Sequence, residues 1–157
     1  NKMIYLKNAV YLLLTFFLVF TEVLFNTFLS ASEYLEILPI LIYVFYIINF
    51  KFSRSSVILL ICNGFYYDLF FTDNFLGYTS IKLLLICMTI HFAYIRLNSG
   101  FVSNFILFYV SLLLYKFEIL IVNFETSFIL LVICLPNFLL FNALTSNLRR
   151  DVFSAKI

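Results

Sequence analysis

Apolar residues run through this chain in long blocks rather than in strict alternation. Cut at clusters of charged and turn-forming residues, the blocks fall at 9–29, 36–50, 56–71, 77–95, 101–122 and 127–145. The breaks lie at 30–36, 51–55, 72–74 with Gly77, 98–100 and 123–127, where Gly, Asn, Ser and charge concentrate. A helical membrane crossing takes about 20 apolar residues, so the pattern predicts six transmembrane helices joined by short loops. The second and third blocks are short for a full crossing, as suits helices that stop below the surface where neighbours shield their ends. Pro39 falls in the first turn of the second block, where its missing N–H costs nothing. Pro136 lies inside the sixth and is expected to kink it.

Composition sharpens this reading. Of 157 residues 64% are hydrophobic and only 11% charged, against about a quarter charged in an ordinary soluble domain; the mean hydropathy is +1.09. Twenty-two Phe and eleven Tyr against three Gly and two Pro exclude a disordered tail, a collagen-like repeat or a loop-rich secreted scaffold. The expected fold class is therefore all-α: a polytopic integral membrane protein, a six-helix transmembrane bundle forming one domain over 1–157. The first block exceeds the roughly 7–15 residues of a signal-peptide core and no small-residue cleavage site follows, so it reads as a retained span. Nothing resembles a basic patch for nucleic acid. Cys62, Cys87 and Cys134 each sit within an apolar block without a CxxC partner, as buried small hydrophobes do.

Charge then sets orientation, because Lys and Arg in short loops stay cytoplasmic. With the N-terminus inside, the cytoplasmic segments hold Lys2, Lys7, Lys51, Arg54, Arg96, Arg149, Arg150 and Lys156, while the outer loops hold Glu33, Glu36, Asp73 and Glu125. The alternation predicts six crossings with both termini cytoplasmic.

Six ionisable residues fall inside predicted spans: Glu22, Asp68, Lys82, His91, Lys116 and Glu118. An ionised side chain at a helix centre costs roughly 2.5–3.5 kcal/mol on insertion scales, so each needs a partner, water or the interface. All but His91 fall in the outer half of their spans. Glu22, Asp68, Lys82, Lys116 and Glu118 are thus candidates for one inter-helical ion-pair network; snorkelling of Lys82, Lys116 and Glu118 to the outer headgroups is the plainer alternative. Lys116 and Glu118, two residues apart, lie on different helix faces and must pair elsewhere. A lone His91 with no ligand at i+3 or i+4 reads as a hydrogen-bonded helix residue rather than a metal ligand.

Catalytic signatures are missing: no HExxH, GxSxG, Walker A or Cys/His ligand spacing occurs, and no cofactor or metal is called for. Asp68 in NGFYYD resembles one half of the acid pair of the lipoprotein signal peptidases, and the second half is absent. An intramembrane aspartyl hydrolase using Asp68 with Glu22 or Asp73 is accordingly the remotest reading.

Residues 63–80 read NGFYYDLFFTDNFLGYTS and hold two of the three glycines. Gly64 suits close approach of another helix, with Asp68 one turn later on the same face. Gly77 opens the next span, where a positive φ or a close contact would require it. Together they predict a tight, outward-facing helical hairpin with a carboxylate at its tip, and Gly64, Phe65, Asp68 and Gly77 as a packing or partner-interface site.

In this stretch the chain resembles the rod shape-determining membrane protein MreD family, whose members carry a G-F-x-x-D pattern, a short linker and then L-G opening the next helix. The matching positions are Gly64, Phe65, Asp68, Leu76 and Gly77, and Pro39 resembles a proline that precedes this hairpin in the family. The resemblance implies a non-enzymatic scaffold subunit of the elongation machinery in the bacterial cytoplasmic membrane. Its implied partners are an MreC-like bitopic protein, the elongation-specific transglycosylase and transpeptidase that extend side-wall peptidoglycan, indirectly the MreB filament, and membrane lipids. The alternative is a six-span subunit resembling the substrate-capturing components of energy-coupling-factor vitamin transporters. Those dock through a small-residue stripe on the first span, whereas this first span, VYLLLTFFLVFTEVLF, is bulky throughout.

Overall fold

The structure, a computed structural model, describes residues 2–29, 36–50, 52–97, 100–122 and 126–154. These residues are all helical or connecting turn: α1 Lys2–Leu29, α2 Pro39–Phe50, α3 Arg54–Phe71, α4 Tyr78–Arg96, α5 Phe101–Tyr115, the short α6 Phe117–Val122 and α7 Thr126–Ser154. Three stretches, Ala9–Leu29, Tyr78–Arg96 and Thr126–Ser146, are long and apolar enough to cross a membrane. The helices track the apolar blocks, with α1 starting earlier and α7 ending later than the hydrophobic pattern does. The fifth block is divided at Lys116 into α5 and α6. The sixth is one helix passing through Pro136, next to which the Asn137 amide donates to the Ile133 carbonyl at 2.8 Å.

Among the orientation charges, Glu33, Lys51, Glu125 and Lys156 lie outside the described residues, as do the side chains of Lys2, Lys7, Arg149 and Arg150.

α2 is the central helix. Its twelve residues span only about 18 Å at 1.5 Å per residue, yet it packs against α1, α4, α5 and α7 and buries Ile40, Leu41, Val44, Phe45, Ile47 and Ile48. A short helix is tolerable here because protein groups, rather than lipid, meet its first turn. Phe45 anchors an aromatic cluster, with ring centroids 4.8 Å from Phe108 and 5.7 Å from Phe141. Around this core α3 and α4 form an antiparallel hairpin, α1 packs on α3, and α5 packs on α4 and α7.

The surface is strongly apolar, unlike that of a water-soluble globule, while the core is apolar with a minority of buried polar side chains. Phe28, Phe128 and Ile95 are 81%, 80% and 72% exposed, whereas Glu22, Asn63, Asp68, Thr79 and Asn137 are buried. Several buried hydroxyls are satisfied within their own helix: Thr15, Ser111 and Thr145 donate to carbonyls three or four residues back. Cys87 and Cys134 are buried and Cys62 half-buried, all as free thiols. His91 stacks on Phe52, centroids 4.2 Å apart.

Candidate functional site

The polar residues concentrate at one end of the bundle, where α2 and α4 begin and α5 ends. A helix start carries backbone N–H groups with no intrahelical partner and a partial positive charge; a helix end carries orphan carbonyls and the opposite charge. Most of the embedded charges here lie against one of these ends.

Asp68 sits one turn before the end of α3 and is 4% exposed. Its Oδ2 accepts from the backbone N–H of Gly77 at 2.9 Å and of Thr79 at 3.0 Å. Its Oδ1 accepts from the Thr79 hydroxyl and, at 3.4 Å, from the Thr72 hydroxyl. The position capping α4 is Gly77, which adopts φ 96° and has no side chain to offer the first turn. Asp68 therefore caps α4 from the preceding helix, and charge-assisted bonds plus the helix dipole offset the desolvation of its carboxylate.

The neighbouring glycines make that geometry possible. A Cβ at Gly64 would overlap the Ser80 backbone N and Cα, so only glycine lets α4 come this close; the Ser80 hydroxyl then donates to the Ile61 carbonyl at 2.8 Å. A Cβ at Gly77 would stand 3.3 Å from the Phe65 ring. Gly64, Phe65, Asp68 and Gly77 thus form one interlocked hairpin, and the Asp68 carboxylate is turned in beneath the connection rather than exposed at its tip. The unpaired amides of the α4 start hold the carboxylate inward.

Glu22, 1% exposed, does for α2 what Asp68 does for α4. Its Oε2 accepts from the Ile40 N–H at 3.1 Å and its Oε1 from the Tyr115 hydroxyl at 2.7 Å. Asn137 completes the entry to α2: its Oδ1 accepts from the Leu38 N–H at 2.9 Å and its Nδ2 donates to the Glu36 carbonyl at 2.8 Å.

The lysines serve the opposite pole. Lys82 Nζ donates to the Tyr115 carbonyl, at the C-terminal end of α5, at 3.1 Å and pairs with Glu118 at 2.9 Å. It also lies 5.0 Å from the Tyr78 ring centroid and 5.6 Å from that of Tyr115. Lys116, at the α5–α6 break, pairs with Glu36.

The five residues expected as one ion-pair network are therefore divided. Lys82 pairs with Glu118, Lys116 with Glu36 from the segment before α2, and Glu22 and Asp68 each bond chiefly to a helix start and a hydroxyl. Tyr115, Thr79 and Asn137 are the participants that the charge pattern does not point to. The place of Asn137 beside Pro136, within the apolar run 128–141, is the one signal in the sequence that singles it out.

A cavity of about 160 Å³ opens among Lys82, Lys116, Glu118, Tyr67, Thr79 and Asn74. A second, of about 560 Å³, lies toward the other end of the bundle between Tyr11, Tyr43, Tyr46 and the serines that open α3. Among the described residues no group of three His, Cys, Asp or Glu side chains gathers as a metal site. No family model, curated protein or solved structure matches the chain.

Proposed function

We propose that this chain is a six-span protein of the bacterial cytoplasmic membrane, both termini inside, acting as a non-catalytic scaffold of the rod-elongation complex. It would help maintain rod shape by packing against partner transmembrane helices and so organising side-wall peptidoglycan synthesis. The observation that carries this reading is the α3–α4 hairpin. The positions that resemble the MreD pattern, Gly64, Phe65, Asp68 and Gly77, are the ones that interlock it. Arg54 and Arg96 at its open end and Asp73 at its turn agree with a cytoplasmic and an outer end respectively.

The motif is internal, so partners would meet the surface it shapes. On α4 the exposed residues Ile81, Leu85, Met88, Phe92 and Ile95 recur at alternating spacings of four and three. That is the period of a helix–helix seam, and a bitopic partner such as an MreC-like protein presents a single helix to fill it.

The test is a mild-detergent pull-down of the tagged chain from native membranes, with mass spectrometry of proteins and small molecules. Recovery of the MreC-like protein and the elongation synthases, reduced in Asp68→Ala and Gly64→Leu cells that also round up, is the expected result. Rod morphology and undiminished complex recovery in both variants would sink the reading. The cavity at the α5–α6 break favours the second reading, a solute-binding transporter subunit, since interrupted helices build such sites. Recovery of an ATPase pair with a stoichiometric small ligand would establish it instead.

A further inference from the structure

We propose that the cavity between α1, α2 and α3 holds one acyl chain of an anionic phospholipid, whose phosphate sits at the serines that open α3. This stands independently of the scaffold reading, since it rests on the shape and charge of the other end of the bundle.

The cavity is polar at one end and apolar at the other. Its mouth lies at the start of α3, where the exposed Ser53 and Ser55 hydroxyls are 2.9 Å apart and the Ser56 hydroxyl is 2.6 Å from that of Ser53. Farther in, the wall includes Leu14 of α1, Tyr43 of α2, and Leu59 and Cys62 of α3. From Ser53 to Cys62 the chain rises about 14 Å at 1.5 Å per residue. A deep wall of apolar and aromatic groups with a few hydroxyls at its entrance is the form of a site for an amphiphile.

Size then narrows the occupant. The space is about 560 Å³, whereas a helix about 10 Å across would fill about 1,100 Å³ over the same length. A partner helix is therefore too wide to enter. Water is a poor filling, because Leu12, Leu14 and Ile58 on the wall are 39%, 47% and 58% exposed and wetting apolar surface is unfavourable. An alkyl chain is narrow enough to enter and covers these side chains with hydrocarbon.

Charge selects the headgroup. Along the segments that build the cavity no Asp or Glu occurs before Glu22, nor between Glu36 and Asp68, whereas Lys2, Lys7, Lys51 and Arg54 all do. Arg54 is exposed at the first position of α3, and the helix start adds its own partial positive charge. The acid of α3, Asp68, lies near the opposite end of that helix and is bonded to the start of α4. Basic residues at a membrane-facing mouth attract anionic lipid. The cavity at the α5–α6 break offers no such excess, since Lys82 and Lys116 are each paired with a glutamate.

The experiment is irradiation of the full chain in maltoside micelles containing phosphatidylglycerol with a diazirine in its acyl chain, with adducts mapped by peptide mass spectrometry. Adducts are expected on the peptides holding Leu14, Leu59 and Cys62, and unlabelled phosphatidylglycerol should compete them away. Leu59→Trp, which fills the cavity, should abolish them. Arg54→Gln should raise the phosphatidylglycerol needed for competition about fivefold and leave competition by phosphatidylcholine unchanged. Arg54 is exposed, so this variant should fold as the parent does and keeps the test valid if Leu59→Trp does not. Adducts confined to the exposed flanks of α4 and α7, or cavity adducts that excess unlabelled lipid does not reduce, overturn the proposal. So does Arg54→Gln acting equally on both lipids.

Discussion

Asp68 and Glu22 perform the same physical task at two helix starts, yet they are built in opposite ways. Asp68 bonds to groups no more than eleven residues away, all within one hairpin. Glu22 reaches Ile40 eighteen residues on and Tyr115 ninety-three residues on, tying α1, α2 and α5 together. The Asp68 cap is a local turn device that glycines on either side make possible. The Glu22 cap exists only once three helices have assembled. In a membrane, where no water competes for an orphan N–H, both are effective ways to start a helix below the surface.

The largest effect is expected where a side chain cannot be accommodated at all. Gly64→Leu should cost more than about 3 kcal/mol by driving a branched side chain into the Ser80 backbone, read as loss of monodisperse protein in detergent. Asp68→Ala should cost about 2–4 kcal/mol, because two N–H groups and two hydroxyls lose their acceptor. Asp68→Asn, which keeps one acceptor oxygen, should fall between this and the parent in thermal unfolding in micelles.

The comparison between the two acids is sharpened by a double-mutant cycle. Glu22→Gln and Tyr115→Phe should couple by about 1 kcal/mol, whereas Glu22→Gln and Asp68→Asn should be additive within about 0.5 kcal/mol. Coupling between the two acids comparable to that of Glu22 with Tyr115 would mean that the caps form one network after all. The smallest effect belongs to the most exposed pair. Glu118→Gln should change stability by less than about 1 kcal/mol, as half-exposed ion pairs do, and raising salt should not destabilise the parent measurably beyond that.

The contrast also explains what was legible in advance. The hairpin and its two glycines are local features, legible in the pattern around residues 63–80. The direction in which Asp68 points did not follow, because it depends on whether the free amides at the start of α4 lie closer to it than Lys82 does. The ionisable residues were visible as anomalies in apolar blocks, but their partners were not. By sequence Glu36 belongs to a loop and Asn137 to an apolar helix, yet the two meet at the same helix start.

Two kinds of information are thus separable in this protein. The sequence by itself determined that the chain is helical and apolar, roughly where its helices begin and end, and that a small set of polar residues must find partners. These follow from hydrophobic block length and from the cost of an unpaired charge, both properties of a segment. Only the tertiary structure decided that acids cap the starts of α2 and α4, that lysines gather at the end of α5, and that a polar cavity opens where that helix breaks. Those depend on which helix ends meet in space, and the energy of a charge beside a helix end falls away within a single turn.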